Sequence, residues 1–286
     1  MTGLAIGLVL FSAFLHATWN LLAKRANGGA PLVWLFDALT VVIFAPVIII
    51  SLFFQPFELG WGALGFMAVS ASLHLAYFIL LQRGYRVGDL SLVYPLARGT
   101  GPVLSTTVAI IILGERPGPI AIAGAFLIAA SVFFLTGGPS KLMGKSSRWA
   151  AGYGLLTGVF IAGYTLWDKE AVSAYNIPPL IYYYGSVVIR VLLLSPYAWQ
   201  VRDKVAFEWK HHRLEAFGVA IMGTVSYFLI LSVLVFTPVS YVAPAREISI
   251  LIGTVMGTRL LLEGDGRRRL PAALGMVIGV IALALG

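Results

Sequence analysis

Cysteine is absent from the 286-residue chain. Disulfides, thiolate metal sites and cysteine nucleophiles are therefore excluded. Charge is scarce as well: 11% of the residues are Asp, Glu, Lys or Arg, where a soluble domain carries roughly 25%. So few charges cannot cover a water-facing surface on a chain of this length, of which 59% is hydrophobic. Lipid must stand where water would around most of the molecule. Also missing are a Walker A pattern, an HExxH or GxSxG motif and any cluster of acids in one loop. Nothing in the sequence therefore asks for ATP, a catalytic metal or a cofactor. Met1 to Gly3 hold no Lys or Arg, so residues 4–23 read as a retained first helix and not as a cleaved signal.

What is present is a series of apolar runs. A helix of about 20 apolar residues crosses the hydrocarbon core. Such runs lie near 4–23, 31–54, 61–82, 91–113, 118–137, 149–167, 178–199, 216–236, 240–262 and 270–285. The fold class expected is all-α and membrane-integral, with ten transmembrane helices. Turn chemistry marks the breaks, as at Asn27-Gly28-Gly29, Gln55-Pro56, Gly137-Gly138-Pro139-Ser140 and Gly264-Asp265-Gly266. Residues 200–215 read as a polar loop, and Thr237-Pro238 is the narrowest break.

The net charge of +8 sits mostly in the short segments between runs. It reads as a topology signal and not as nucleic-acid binding. Loops after odd-numbered spans hold fourteen Lys and Arg, from Lys24 and Arg25 to the run Arg267-Arg268-Arg269, and loops after even-numbered spans hold two, Arg116 and Lys169. The positive-inside rule then puts both termini outside. Arg259, four residues before Glu263, reads as snorkelling to the cytoplasmic surface.

A shift of 148 residues brings Trp19 onto Trp167, Asn20 onto Asp168, Arg98 onto Arg246 and Glu115 onto Glu263. With small gaps, Tyr77-Phe78 falls on Tyr227-Phe228 and Gly124 on Gly275. The chain thus divides into residues 1–140 (spans 1–5) and 141–286 (spans 6–10). An odd number of spans per unit makes the two halves inverted repeats, an arrangement that places a substrate near the midplane between them.

These residues carry a family resemblance. His16-Ala17-Thr18-Trp19-Asn20 closes span 1, and Ala97-Arg98 leads through Gly114-Glu115-Arg116 to Gly124. Ala243-Pro244-Ala245-Arg246-Glu247-Ile248-Ser249 leads through Glu263 to Gly275 and Gly279. The chain resembles the drug/metabolite transporter superfamily in its two-repeat, EamA-type branch. It departs from the pattern at Leu262-Glu263-Gly264, where the Gly before Glu is missing. The resemblance implies a secondary carrier, with many relatives exporting amino acids or other metabolites, and leaves the cargo open.

Polar residues inside the spans are the candidate machinery. A charge at the centre of a lone helix costs about 2.5–3.5 kcal/mol on insertion scales, so it is kept where it meets a partner or a wet cavity. Arg98, Arg190 and Arg246 supply forks suited to carboxylate or phosphate. With His16, Trp19, Asn20, His74, Tyr77, Tyr94, Trp167 and Asp168 they form the expected substrate site. Glu247, Asp37 and His16 are the expected proton-coupling groups. Asp37 and Arg98 lie at similar depth and could pair, and two acids (Asp37 and Glu247) against three arginines leave a positive excess. Pro102 and Pro244 can interrupt helices beside a site. The pairs Gly3/Gly7, Gly154/Gly158, Gly253/Gly257 and Gly275/Gly279 suit close helix packing, within one chain or between copies in a homodimer.

The expected function is transport of a small polar, anionic or zwitterionic metabolite across a cell inner membrane by alternating access with proton coupling. The expected partners are that small molecule and membrane lipid. Alternatives are a flippase for lipid or lipid-linked sugar, a cationic drug efflux carrier and a membrane-embedded enzyme. His16 and Asn20 stand in span 1 where small multidrug carriers keep a Glu, which weakens the cationic reading.

Overall fold

The computed structural model describes residues 1–26, 28–54, 57–87, 90–135, 145–261 and 266–286. Glu263 and the breaks at Gln55-Pro56, Gly137 to Ser140 and Gly264-Asp265 lie outside the described residues, as do the surroundings of Gly257 and the side chains of Tyr94, Arg259 and Arg267 to Arg269. Among the described residues the chain is helical, without strands. The helices are α1 (Gly3–Ala26), α2 (Gly29–Phe54), α3 (Trp61–Val87), α4 (Leu90–Ile111), α5 (Pro119–Leu135) and α6 (Lys145–Ser173). They continue as α7 (Pro179–Gln200), α8 (Arg202–Phe236), α9 (Val239–Ala245), α10 (Ile248–Leu261) and α11 (Gly266–Leu285).

Among the described residues, α1, α2, α3, α6, α7 and α8 are long and apolar enough to cross a membrane, and α5 and α11 contain shorter apolar helices. Large apolar side chains point outward, among them Phe11, Phe53, Trp61, Phe126 and Leu192. Asp37, Arg98, Asp168 and Glu247 are buried. A bundle with apolar groups outside and charges inside is built for lipid as its solvent.

Residues 200–215 are not a loop. α8 begins at Arg202 and kinks at His212, which has φ −127° and ψ 24°. Its 35 residues would span about 50 Å at 1.5 Å per residue, against about 30 Å of hydrocarbon. The first ten residues therefore reach beyond the core. There Val205, Phe207 and Trp209 alternate with Lys204, Glu208 and Lys210, a mixture suited to the boundary between lipid and water. Glu208 anchors this segment, buried against Gly28 so closely that a Cβ at Gly28 would collide with its carboxylate.

The principal packing pairs are α1 on α8, α3 on α6, α4 on α6, α1 on α10, α2 on α7 and α8, α3 on α7, and α5 on α11. Absent side chains create the closest crossings. A Cβ on Gly124 of α5 would lie 2.6 Å from the Gly279 carbonyl, and one on Gly279 would lie 2.8 Å from the Gly124 carbonyl. On α6, Gly154 and Gly158 face Val93 and Thr100 of α4 in the same manner. A Cβ added at Gly3 or Gly7 would meet nothing within 4 Å among the described residues, so that pair makes no close helix crossing there.

α4 ends where Gly114 takes φ +68°. The Glu115 N–H then reaches back to the Ala109 carbonyl at 3.2 Å, a Schellman-like closure that needs a residue at ease in the left-handed region. The turn aims the Glu115 carboxylate at α9. It accepts the Val239 N–H at 2.7 Å and the Ser240 N–H at 2.8 Å. The Gly-Glu pair read from the sequence thus caps a helix in the other half of the chain.

Candidate functional site

The site forms where span 9 is interrupted. Pro244 has no N–H to continue the helical ladder, and α9 stops at Ala245. Tight bonds replace that ladder: Glu247 N–H to the Pro244 carbonyl at 3.0 Å, Ser249 N–H to Arg246 at 3.1 Å and Ile250 N–H to Glu247 at 2.9 Å. Arg246 and Glu247 occupy the junction, and α10 resumes at Ile248. Pro102 behaves differently, for α4 runs through it without a break.

Against this junction lies a small polar cavity. Its wall takes Ser12 and His16 from α1, Arg98 from α4, Ser226 and Tyr227 from α8, and Arg246 and Ser249 from the broken span. Arg98 and Arg246, the positions matched by the 148-residue shift, therefore face one void. Its water-accessible space is about 10 Å³, room for about one water. Any larger solute needs the surrounding helices to part.

The ion pairs differ from the pairing expected of Asp37 and Arg98. Asp37 instead receives Arg190 in bidentate fashion, with Nη2 to Oδ1 at 2.7 Å and Nε to Oδ2 at 3.0 Å. Depth along the helix axes matched Asp37 to Arg98, but α2 lies against α7. Arg98 meets the broken span: its Nε lies 3.1 Å from Glu247 Oε2, and its Nη2 donates to Ser249 Oγ at 3.3 Å. Glu247 thus pairs with an arginine across the helix interface and not with its neighbour Arg246.

The third arginine faces its acid through an aromatic ring. Arg246 Cζ lies 5.6 Å from the centre of the Tyr227 ring, within cation–π range. The Tyr227 hydroxyl donates to Asp168 Oδ2, and the Tyr182 hydroxyl donates to Asp168 Oδ1 at 2.6 Å. Asp168 is fully buried. Counting it with Asp37 and Glu247 gives three buried acids against these three arginines among the described residues, which removes the positive excess read from the sequence.

Aromatic rings surround this line. His74 stacks on Tyr164 at 4.1 Å and meets Tyr227 edge-on at 5.5 Å, while Tyr77 meets Tyr164 at 5.9 Å. His16 and Trp19 pack edge-to-face at 5.0 Å. Asn20 is turned to local use, its amide donating to the His16 carbonyl at 2.7 Å. Trp167 donates to the Phe66 carbonyl at 3.0 Å, away from the cavity wall. Arg190 and Asp37 are likewise not on that wall. Tyr182 was passed over in the sequence. The available signal was the run Tyr182-Tyr183-Tyr184, whose hydroxyl-bearing rings sit in an apolar span that has no need of them. Ser12 and Ser226 were missed too. Each donates to the other's carbonyl, at 2.8 and 3.0 Å, joining α1 to α8 beside the void.

Residues 3–137 match the EamA-like transporter family. Over those residues the chain is similar to EamA-type transporters. No curated protein matches it. A solved structure described only as "Crystal structure of protein" is similar over 98% of both chains, with a TM-score of 0.74 and 16% identity. At that identity the likeness fixes the fold alone. The EamA match and the long apolar helices together make this a multi-pass membrane protein of the transporter kind.

Proposed function

We propose that the chain is a secondary carrier for a small anionic or zwitterionic metabolite, such as an amino acid, working by alternating access with proton coupling. The observation that carries this reading is the shared void. Two arginines, one on α4 and one at the break between α9 and α10, line it together with His16. Preorganised guanidinium forks in a water-poor site favour a carboxylate or phosphate group. The enclosure of the void by side chains of four helices favours a soluble solute over a lipid sliding in from the side.

We read the two halves, 1–140 and 141–286, as inverted repeats. Reciprocal packing supports this. Exchanging spans 1 and 6, 3 and 8, and 4 and 9 turns the α1–α8 pair into α6–α3, and the α4–α6 pair into α10–α1. The α2–α7 and α5–α11 pairs map onto themselves. Such a two-fold arrangement lets one half rock against the other around a central site. In this reading the termini face outward from a cell inner membrane, the cargo is a small molecule, and lipid surrounds either a monomer or a homodimer.

In this scheme Arg98, Arg246 and His16 meet the solute. Tyr227, Ser226 and Ser249 complete the wall, and Glu247 neutralises Arg98 until a solute competes for it. Trp19, Asn20, His74, Tyr77, Trp167, Asp168 and Arg190 shape the surroundings, and Asp37 fixes Arg190.

Uptake into proteoliposomes by a panel of radiolabelled amino acids and organic anions, with and without an imposed pH gradient, tests the proposal. At least one compound should accumulate against its gradient when the pH gradient is present. Equal uptake of every compound by protein-free liposomes would end the carrier reading.

A further inference from the structure

We infer that Asp168 is the proton-binding site of this chain, reached from the cavity through the hydroxyl of Tyr227. The use of that proton to drive transport rests on the carrier reading above, but the proton site itself does not. Asp37 and Glu247 each hold an arginine at 2.7 and 3.1 Å. Protonating either would take the countercharge from a buried arginine. Among the described residues no Lys, Arg or His nitrogen lies within 4 Å of Asp168. Its two oxygens are held by neutral phenols, from Tyr182 of α7 and Tyr227 of α8. It can therefore gain or lose a proton without breaking an ion pair.

Tyr227 supplies the path, since it lines the cavity and donates to Asp168 at once. A proton delivered by hydronium to the phenol oxygen displaces the phenol's own proton onto Asp168 Oδ2. The phenol is restored, water is left in the cavity, and the carboxylate has become a carboxylic acid. The other groups facing Asp168 are Ser70 of α3 and Arg246 at the α9–α10 break. His74 of α3 touches the Tyr227 ring, and the Lys169 ammonium turns away to the Leu234 carbonyl at 2.6 Å.

The charge consequence reaches the solute. With Asp168 ionised, Arg246 faces a carboxylate through the Tyr227 ring. With Asp168 protonated, that countercharge is gone and Arg246 attracts an anion more strongly. Proton and anion then bind together, so they travel in the same direction.

Infrared spectroscopy of the lipid-reconstituted chain, titrated with no solute present, reads this directly. A protonated-carboxyl carbonyl band should grow as the pH falls, and the component contributed by Asp168 should persist in the exposed-site variant Glu58→Gln and be lost in Asp168→Asn. In Tyr182→Phe the midpoint of that band should move to higher pH, because a hydrogen bond to the ionised form is lost. A band unchanged in Asp168→Asn, or an unchanged midpoint in Tyr182→Phe, would overturn the assignment. If Asp168→Asn does not fold, the Tyr182→Phe midpoint decides alone. A chain that titrates as expected yet takes up no compound would refute the carrier reading and leave the proton site standing.

Discussion

Asp37→Ala is expected to destabilise the chain by about 3–5 kcal/mol, the cost of leaving a buried charge without its partner. Arg190 sits at the middle of α7 with its fork closed on Asp37, and the Asp37 side chain is 2% exposed. The Arg190 side chain is 13% exposed, which leaves little access for water to replace the carboxylate. Tyr183 stands beside the pair, its ring centre 5.9 Å from Arg190 Cζ, and a neutral phenol does not replace the charge of the carboxylate. The pair also joins α2 to α7 in the lipid core, where apolar side chains gain little from facing one another instead of lipid. Thermal unfolding in detergent, followed by loss of the monodisperse peak, measures the effect. The double variant Asp37→Leu/Arg190→Met should recover most of it, since replacing both members of a buried pair by apolar groups is often neutral. If the single variant unfolds with the parent, the pair contributes nothing to holding α2 on α7.

Arg246→Ala is expected to lower uptake by roughly 10- to 150-fold, the range set by about 1.5–3 kcal/mol for hydrogen bonds to a charged group. Arg246→Lys should recover only part of the loss, because an ammonium keeps the charge and loses the planar fork. The two arginines on the cavity wall differ in what restrains them. Arg98 is held by Glu247 and Ser249, whereas Arg246 rests on an aromatic face. Arg246 is the one whose donors are more readily offered to a solute. Initial rates in proteoliposomes, normalised to the amount of reconstituted protein, separate the outcomes. Parent-like rates in both Arg246→Ala and Arg98→Ala would remove the arginines from the site.

The fold was largely legible because lipid imposes one rule on every span. Each apolar run between turn residues became one helix, except 240–262, which is divided into α9 and α10, and even the narrow Thr237-Pro238 break separates α8 from α9. The segment 202–211 was misread because a helix at the boundary of the core mixes Phe207 and Trp209 with Lys204 and Lys210, as a polar loop also does. Within the site, the sequence gives depth but not direction around the bundle. Asp37 and Arg98 share a depth, yet α2 leans on α7 and α8, so Asp37 found Arg190. The shift of 148 residues sets Arg98 against Arg246, and both line one void. Tyr182 and the Asp168 cluster stayed hidden. Tyrosine in a membrane span reads equally well as an interface anchor, and only coordinates show both hydroxyls converging on one carboxylate.

The central claim is that an aqueous path reaches the void between the halves, from each membrane face in turn. The absence of native cysteine makes single-cysteine labelling unambiguous. Ser226→Cys sits on the cavity wall, and Phe126→Cys replaces an outward-facing side chain that is 75% exposed on α5. In sealed vesicles of both orientations, a small charged, membrane-impermeant thiol reagent should modify Ser226→Cys from either side. The lipid-facing Phe126→Cys should react only with a lipid-soluble reagent. Resistance of Ser226→Cys to the charged reagent from both sides would contradict a carrier built around this void.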